Sequence, residues 1–494
     1  MNRANRPRLS RISGSSYASK LMSRAGDGST LTLDFTTGVL DSRLTFSRST
    51  GGSYIGSDGL VYGFDSSTSS NTIGTGSKTF TIAAPAAVNR RYSAGDLIIA
   101  SSGANNMSGS VTSYDPATQS LVCNMASSSG SGTFTAWIIG NRQPRFDHDP
   151  TTNAAKGLLI EGVATNLVAF SNGNTLGWGI GGNRTPTNNT TDLVSPDGTN
   201  NATKLVCGTA ANYASFATLI TGLTGGETYT VSYWIRGPVG HTPRLYAVNG
   251  TVGDVTPTAT TGTYNNTGWT RLTQTYTLPA ATTQVFVYFM SVTIGVTGDT
   301  FYVYGFQLET GTTASTLIYT GTSTATREAD FCLMTGANFS SWYQGGTQGT
   351  FYADWFGGVR PGASGSTNRT VLSTDDVSTK HLHLLQTAAA GNLRVADFGG
   401  ANNVTTANTL TSGARTKGAF GYNGSSASVC LNGGTVATGS SLAFSVAPTW
   451  LVIGATSTNG TSLTDANVVL NNSIRQIKYW PTRLADGTLQ GLTT

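Results

Sequence analysis

Charge is what this 494-residue chain has least of. Asp, Glu, Lys and Arg together make up 11% of it, under half the share of about 25% found in ordinary soluble domains. Lysine is rare, and the Glu/Lys/Ala/Leu mixture that clothes long helices is missing, which argues against a helical fold. No heptad run is present, so coiled-coil assembly is not indicated. The four cysteines, Cys123, Cys207, Cys332 and Cys430, form no CxxC pair, which removes a zinc ribbon or a dense disulfide frame. They are expected to be free, mostly buried thiols of a protein assembled in a reducing cytoplasm. No apolar stretch approaches a membrane span. The basic N-terminus, MNRANRPRLSRISGSSYASK, lacks the apolar core of an export signal, so work outside a cell would need another exit, such as lysis. GxSxG, HExxH and kinase signatures are absent. GWGIGGN (Gly177–Asn183) opens no helix and has no lysine partner, so it is not a phosphate loop.

What is present is turn and strand chemistry. Glycine numbers 62, Ser, Thr and Asn are abundant, and Thr, Val, Tyr and Phe alternate between Gly/Asn/Asp turns, as strands require. Length suggests about three domains. The fold class expected is all-β and multi-domain: β-sandwich and jelly-roll modules plus a small inserted β module, in an elongated molecule.

Net charge is +5 and unevenly placed. Arg3, Arg6, Arg8, Arg11, Lys20 and Arg24 all precede the first acid, Asp27, leaving the remainder close to neutral. Residues 1–30 are therefore set apart as a basic arm. An acidic protein surface is its expected partner, ahead of nucleic acid, and a soluble tail is the plain alternative. In 31–66, Leu31, Leu33 and Phe35 alternate, as do Leu44 and Phe46, and Gly56–Gly59 (GSDG) should close a hairpin. Residues 67–140 turn polar and Gly-rich, with Asp115-Pro116 between two alternating runs, and read as a small β module inserted into a larger unit that resumes at 141–165. Residues 166–329 carry long alternating runs at Glu227–Gly237, Gly268–Pro279, Gln284–Ser291 and Asp299–Gly311, the pattern of a jelly roll. Residues 330–494 hold a further set of strands, including WLVIGAT and SIRQIKYWPTRL, and end in a short helix with Asp486 near its start.

Three groups of residues raise chemical questions. PRFDHDPTTNAAKGLLIEG gathers Asp147, His148, Asp149 and Glu161. On a strand Asp147 and Asp149 point one way and His148 the other, so the expectation is a hairpin whose aspartates bond backbone amides, and no catalytic residue is assigned. The scarcity of acids also argues against the carboxylate pair of a glycosidase. His381 and His383 share one side of a strand, a geometry that could hold a metal on a threefold axis. With no acid between them, packing or surface roles are the default, and no cofactor is expected. Of the aromatics Trp178, Trp234, Tyr246, Trp269 and Tyr304, Trp234 and Tyr304 belong in a core by their alternation, whereas Trp178 and Tyr246 are the candidate sugar platforms.

LDFTTGVLDSRLTFSRSTGGSYIGSDGLV followed by PRFDHDPTTNAAKGLLIEGVATNL resembles a segment of bacteriophage head-spike and tail-fibre virion proteins, in which the Asp-His-Asp stretch belongs to a structural signature. Residues 166–329 resemble a carbohydrate-binding jelly roll, carried by Tyr229–Arg236, Trp269–Thr277 and Phe301–Gly311. Residues 330–494 resemble a laminin-G/concanavalin-A-like sandwich, carried by VCLNGGTVATG with its Asn432-Gly433 turn and by the closing strands. These resemblances imply a non-enzymatic virion fibre or spike, assembled in the cytoplasm of a host bacterium. They further imply a homotrimer attached to capsid, portal, adaptor or tail proteins through residues 1–30, with Arg3, Arg6, Arg8 and Arg11 at the contact. Surface glycans would be its outer ligands, with no membrane partner. The alternatives are a tail-borne polysaccharide depolymerase and a purely architectural capsid decoration.

Overall fold

The computed structural model describes residues 26–83, 92–171, 179–181, 184–207, 215–239, 244–247, 253–288, 298–343, 347–357, 368–375, 382–387, 391–397, 403–411, 413–440, 448–464 and 468–494. The chain is all-β, built from several antiparallel sheets with two short α-helices among the described residues.

The largest unit is a two-sheet sandwich. One sheet runs in the order Arg145–His148, Ala155–Ile160, Asn472–Trp480, Gln348–Phe356, Arg415–Asn423, Ser426–Leu431, Ala437–Gly439. The other runs Thr45–Ser47, Phe331–Thr335, Trp450–Ile453, Asn368–Asp375, Leu382–Thr387, Asn392–Asp397, Asn403–Thr409. Leu31–Asp34 pairs with the same edge of Asn472–Trp480 as Ala155–Ile160 does, with Leu31 opposite Tyr479 and Leu158 opposite Ile474. The segments 31–66 and 141–165, read from the sequence as one unit apart from residues 330–494, thus lend strands to both sheets of the C-terminal sandwich. Their side chains share its core: Leu31, Leu33 and Phe35 are each 1% exposed and pack with Leu158, Ile160, Phe351, Trp355, Ile477 and Tyr479. Each such side chain contributes roughly 1.5–3 kcal/mol relative to exposure, which makes the N-terminal strands integral to this core.

Local chemistry explains the turns. Asn432 (φ 47°) and Gly433 (φ 67°) form the left-handed pair of a tight hairpin turn, closed by Gly434 N donating to Leu431 O at 2.9 Å, the conformation for which Asn-Gly is favoured. Gly157 has φ +100°, and a Cβ there would lie 2.1 Å from Ile474 O. Only glycine fits this bulged position of the Arg145–His148 and Ala155–Ile160 hairpin. The helix Asp486–Thr493 buries Leu489 against Tyr352, Cys430 and Trp480.

Two modules are inserted into this sandwich. The first has the sheet order Phe64–Ser67, Trp137–Asn141, Leu97–Ser102, Asn105–Asp115, Ser120–Ser129, Gly76–Thr81. A bridge between Ser67 and Ile82, with Ala83 N donating to Ser66 O at 2.8 Å, joins the two edges into a small barrel. It is filled by Phe80, Ile98, Met107, Leu121, Cys123, Trp137 and Ile139. The second is a jelly roll entered and left through a paired stem, Ala164–Asn166 against Ala325–Arg327. Its five-stranded sheet is ordered Gly179–Gly181, Ser215–Thr221, Gln284–Tyr288, Arg244–Ala247, Gly253–Val255. Its six-stranded sheet is ordered Arg184–Thr187, Thr203–Cys207, Thr300–Thr310, Thr228–Arg236, Thr270–Thr277, Ala259–Thr261. Leu205, Tyr233, Leu245, Val285, Val287, Phe301 and Phe306 fill the space between them.

Candidate functional site

The Asp-His-Asp hairpin is structural in its contacts. Asp147 accepts a hydrogen bond from Ile55 N at 2.9 Å and pairs with Lys156 at 3.1 Å. His148 Nδ1 lies 3.2 Å from Ile55 O. Asp149 accepts from Thr151 N and Thr152 N at 3.0 and 2.8 Å, capping its own turn. Glu161 belongs to a different assembly. It accepts from Arg145 Nη1 at 2.6 Å, Arg327 Nη1 at 2.8 Å, Thr316 N at 2.9 Å and Thr316 Oγ1 at 2.7 Å. Asp330 accepts from Arg48 Nη1 at 2.6 Å, from Arg145 Nη2 and from Glu161 N at 2.9 Å. Burial alone would push the Glu161 carboxyl up, but Arg327 and Arg145 override it and hold the group far below the ordinary carboxylate range. Burial pushes Arg48 down to about 10, against the attraction of Asp330. This buried network ties the sandwich strands to the stem and inner loop of the jelly roll. Charges so enclosed persist only when every one is paired.

The network continues onto the outer face of the six-stranded sheet. Arg271 Nη2 donates to Ser315 O at 2.7 Å and to Ser232 Oγ at 3.1 Å, and its guanidinium lies 4.7 Å over the Trp234 ring. Trp234 is 7% exposed and Tyr304 1% exposed. They pack with Val61, Ala202, Leu317 and Tyr319, flanked by Phe64, Ile138 and Trp269. Trp269 Nε1 donates to Val194 O at 2.8 Å. The sequence reading of Trp234 and Tyr304 as core residues agrees with this. What they join is the junction between modules, since they lie on the sheet face away from the jelly-roll interior.

The outer face of the five-stranded sheet is different. Leu245, Val285, Val287 and Ile220 point inward, so their neighbours point out. Register places Leu219 opposite Phe286, and Phe286 opposite Tyr246, a row across three adjacent strands. Leu219 is 43% exposed, while Phe286, Tyr246 and Gln284 are half-buried. A saccharide ring can lay its C–H face on such an apolar row, with Gln284 beside it as a hydrogen-bonding group. Tyr246 was legible as a candidate. Phe286 and Leu219 were missed: QVFVYFMS is apolar on both faces, and only register against Ser215–Thr221 reveals which side is outward.

Trp178 and the arginines Arg3, Arg6, Arg8 and Arg11 lie outside the described residues, as does His381. His383 sits in Leu382–Thr387, paired with Ser373 and Ala396. Among the described residues no three His, Cys, Asp or Glu groups gather as metal ligands. Cys123, Cys332 and Cys430 are buried and free, and burial pushes the Cys123 thiol up to about 12.

Residues 167–293 match the carbohydrate-binding domain family CBM_4_9. That span contains the whole Leu219–Phe286–Tyr246 row. Among solved structures, the chain resembles the CBM22-1 xylan-binding domain from Paenibacillus barcinonensis Xyn10C, at 13% identity over 31% of this chain and 99% of that one, with a TM-score of 0.25. The mouse laminin alpha1 chain, domains LG4-5, aligns at 10% identity over 57% of this chain and 93% of that one, with a TM-score of 0.21. Trypanosoma rangeli sialidase aligns at 12% identity over 32% of this chain and 25% of that one, with a TM-score of 0.24. No curated protein matches the chain.

Proposed function

We propose that this chain is a non-enzymatic, glycan-adhering virion fibre or spike protein whose jelly roll takes sugar chains on the outer face of its five-stranded sheet. The observation that carries the glycan reading is the contrast between the jelly roll's two outer faces. One is enclosed around Trp234 and Tyr304 by the junction cluster. The other presents Leu219, Phe286 and Tyr246 in one row, within the matched carbohydrate-binding span. The virion role is supported by the resemblance of residues 31–66 and 141–167 to phage spike and fibre segments and by the basic composition of residues 1–24. On this reading three copies assemble, residues 1–30 dock on another virion protein, and weak single sites gain strength through multiplicity.

The test of the glycan reading is a glycan array probed with the full chain and with a Tyr246→Ala/Phe286→Ala variant. Retention of glycans by the first and loss of that signal by the second is the expected result. Equal retention by both would move the site elsewhere. For the virion role, labelled antibody should decorate intact particles, and deletion of residues 1–30 should leave particles undecorated. Unlabelled particles would refute it.

A further inference from the structure

A pocket of about 330 Å³ opens on the six-stranded sheet, bounded by Asp192, Arg236, Pro238, Asn266, Thr300 and Tyr302. It is built from strands that are neighbours in space and distant in sequence: Lys204 pairs with Tyr302, and Tyr302 with Arg236. Leu205, Phe301, Val303 and Ile235 point into the jelly-roll core, so the alternate residues Lys204, Tyr302 and Arg236 share the outer face.

The charges in this pocket do not balance. Lys204 Nζ donates to Asp192 Oδ2 at 2.5 Å, and Tyr302 Oη donates to the same oxygen at 3.2 Å. The Lys204 hydrogen bond holds the Asp192 carboxyl below its ordinary value, so the carboxylate is already committed. Arg236 donates from Nε to Asn266 O at 3.2 Å, which fixes its guanidinium plane. Among the described residues its two terminal nitrogens have no hydrogen-bond or ion-pair partner. A planar guanidinium steadied at Nε and open at both Nη positions matches a carboxylate bidentately. Around it lie the half-buried Tyr302 ring, the Thr300 hydroxyl, and an apolar rim of Leu193 and Pro238. Their chain neighbours Val194 and Val239 are 54% and 70% exposed. Ring face, hydroxyl and apolar rim suit a pyranose. The volume is at the small end of the range of about 300–1,000 Å³ for ligand pockets, which favours one or two sugar units over a long chain.

We propose that this pocket is a second saccharide site, specific for a carboxylate-bearing sugar, with Arg236 pairing the carboxylate and Tyr302 supporting the ring. The inference rests on the glycan-binding reading of the jelly roll but uses the opposite sheet, so the two can fail separately.

The test is calorimetric titration of the full chain with tetragalacturonate, with sialyllactose and with the neutral xylotetraose. One acidic sugar should bind, with Kd weakening as salt rises from about 20 to about 200 mM. Arg236→Gln should weaken it by about tenfold or more, and Arg236→Lys by less, because lysine keeps the charge and loses the fork. The Tyr246→Ala/Phe286→Ala variant should bind the same acidic sugar as the unaltered chain does. Whichever acidic sugar binds tighter identifies the carboxylate's source. Acidic-sugar binding unchanged in Arg236→Gln would overturn the proposal, as would acetate competing as effectively as the sugar. Binding of xylotetraose without either acidic sugar would sink this pocket and leave the five-stranded face standing. No binding of any glycan here or on an array would sink both.

Discussion

The two outer faces of the jelly roll both carry large aromatic side chains, and their fates diverge. On the six-stranded sheet, Trp234 and Tyr304 are covered by the barrel, the junction loops and Arg271. On the five-stranded sheet, Phe286 and Tyr246 stay half-buried beside an exposed Leu219. The difference lies in how much of each ring the fold leaves at the surface: the rings of one sheet are enclosed, those of the other are half-buried. The junction encloses the Trp234 and Tyr304 end of one face and leaves the Leu219–Phe286–Tyr246 row of the other at the surface.

The sharpest way to break this contrast is to open the covered face. Glu161→Ala should destabilise the chain by about 3–5 kcal/mol, because Arg145 and Arg327 would be left buried without their carboxylate. Urea unfolding would measure it, and a change under about 1 kcal/mol would show that the network does not hold the modules together. Trp234→Ala should cost about 3–4 kcal/mol through lost packing and the cavity it leaves, with glycan binding on the other face retained in the folded fraction. Acid should act through the same network. The Glu161 carboxyl is depressed in the folded chain from an ordinary value of 4.5, so the unfolded state takes up the proton first as pH falls. Its stabilisation is complete above that value and drains away below it. The difference in Tm between the native sequence and Glu161→Gln should therefore shrink as pH drops below 4.5, and a constant difference would refute the assignment. On the five-stranded face, Tyr246→Ala with Phe286→Ala should cost only about 1–2 kcal/mol of stability, since both rings are half-buried, yet remove most glycan affinity. The smallest effect is expected for Leu219→Ser, with stability within about 0.5 kcal/mol of the unaltered chain and a few-fold weakening of glycan binding. If Leu219→Ser proved as damaging as Trp234→Ala, the five-stranded face would be covered too.

Much of this architecture was legible locally. The alternation of Leu31, Leu33 and Phe35, the Asn432-Gly433 turn and the closing helix at Asp486 each follow from a few neighbouring residues. The pairing of Leu31–Asp34 with Asn472–Trp480 was not legible, because nothing near either strand specifies a partner so distant in sequence. The same limit applied to the sites. Tyr246 could be picked by residue type. Phe286 needed the knowledge of which side of an all-apolar strand faces out, and Arg236 needed three non-consecutive strands laid side by side. The acidic hairpin, the most conspicuous cluster in the sequence, turned out to spend its carboxylates on backbone amides and a lysine.

The union of the first strand with the last also sets a timetable for biosynthesis. The barrel and the jelly roll each complete their own cores well before Asn472–Trp480 is made, so they can become compact while the ribosome is still working. Leu31, by contrast, must wait for Tyr479, an interval of about 20–90 s at elongation rates of about 5–20 residues per second. During that wait an apolar strand stays unsatisfied, so premature termination between Arg327 and Asn472 should yield two finished modules on an open, sticky frame.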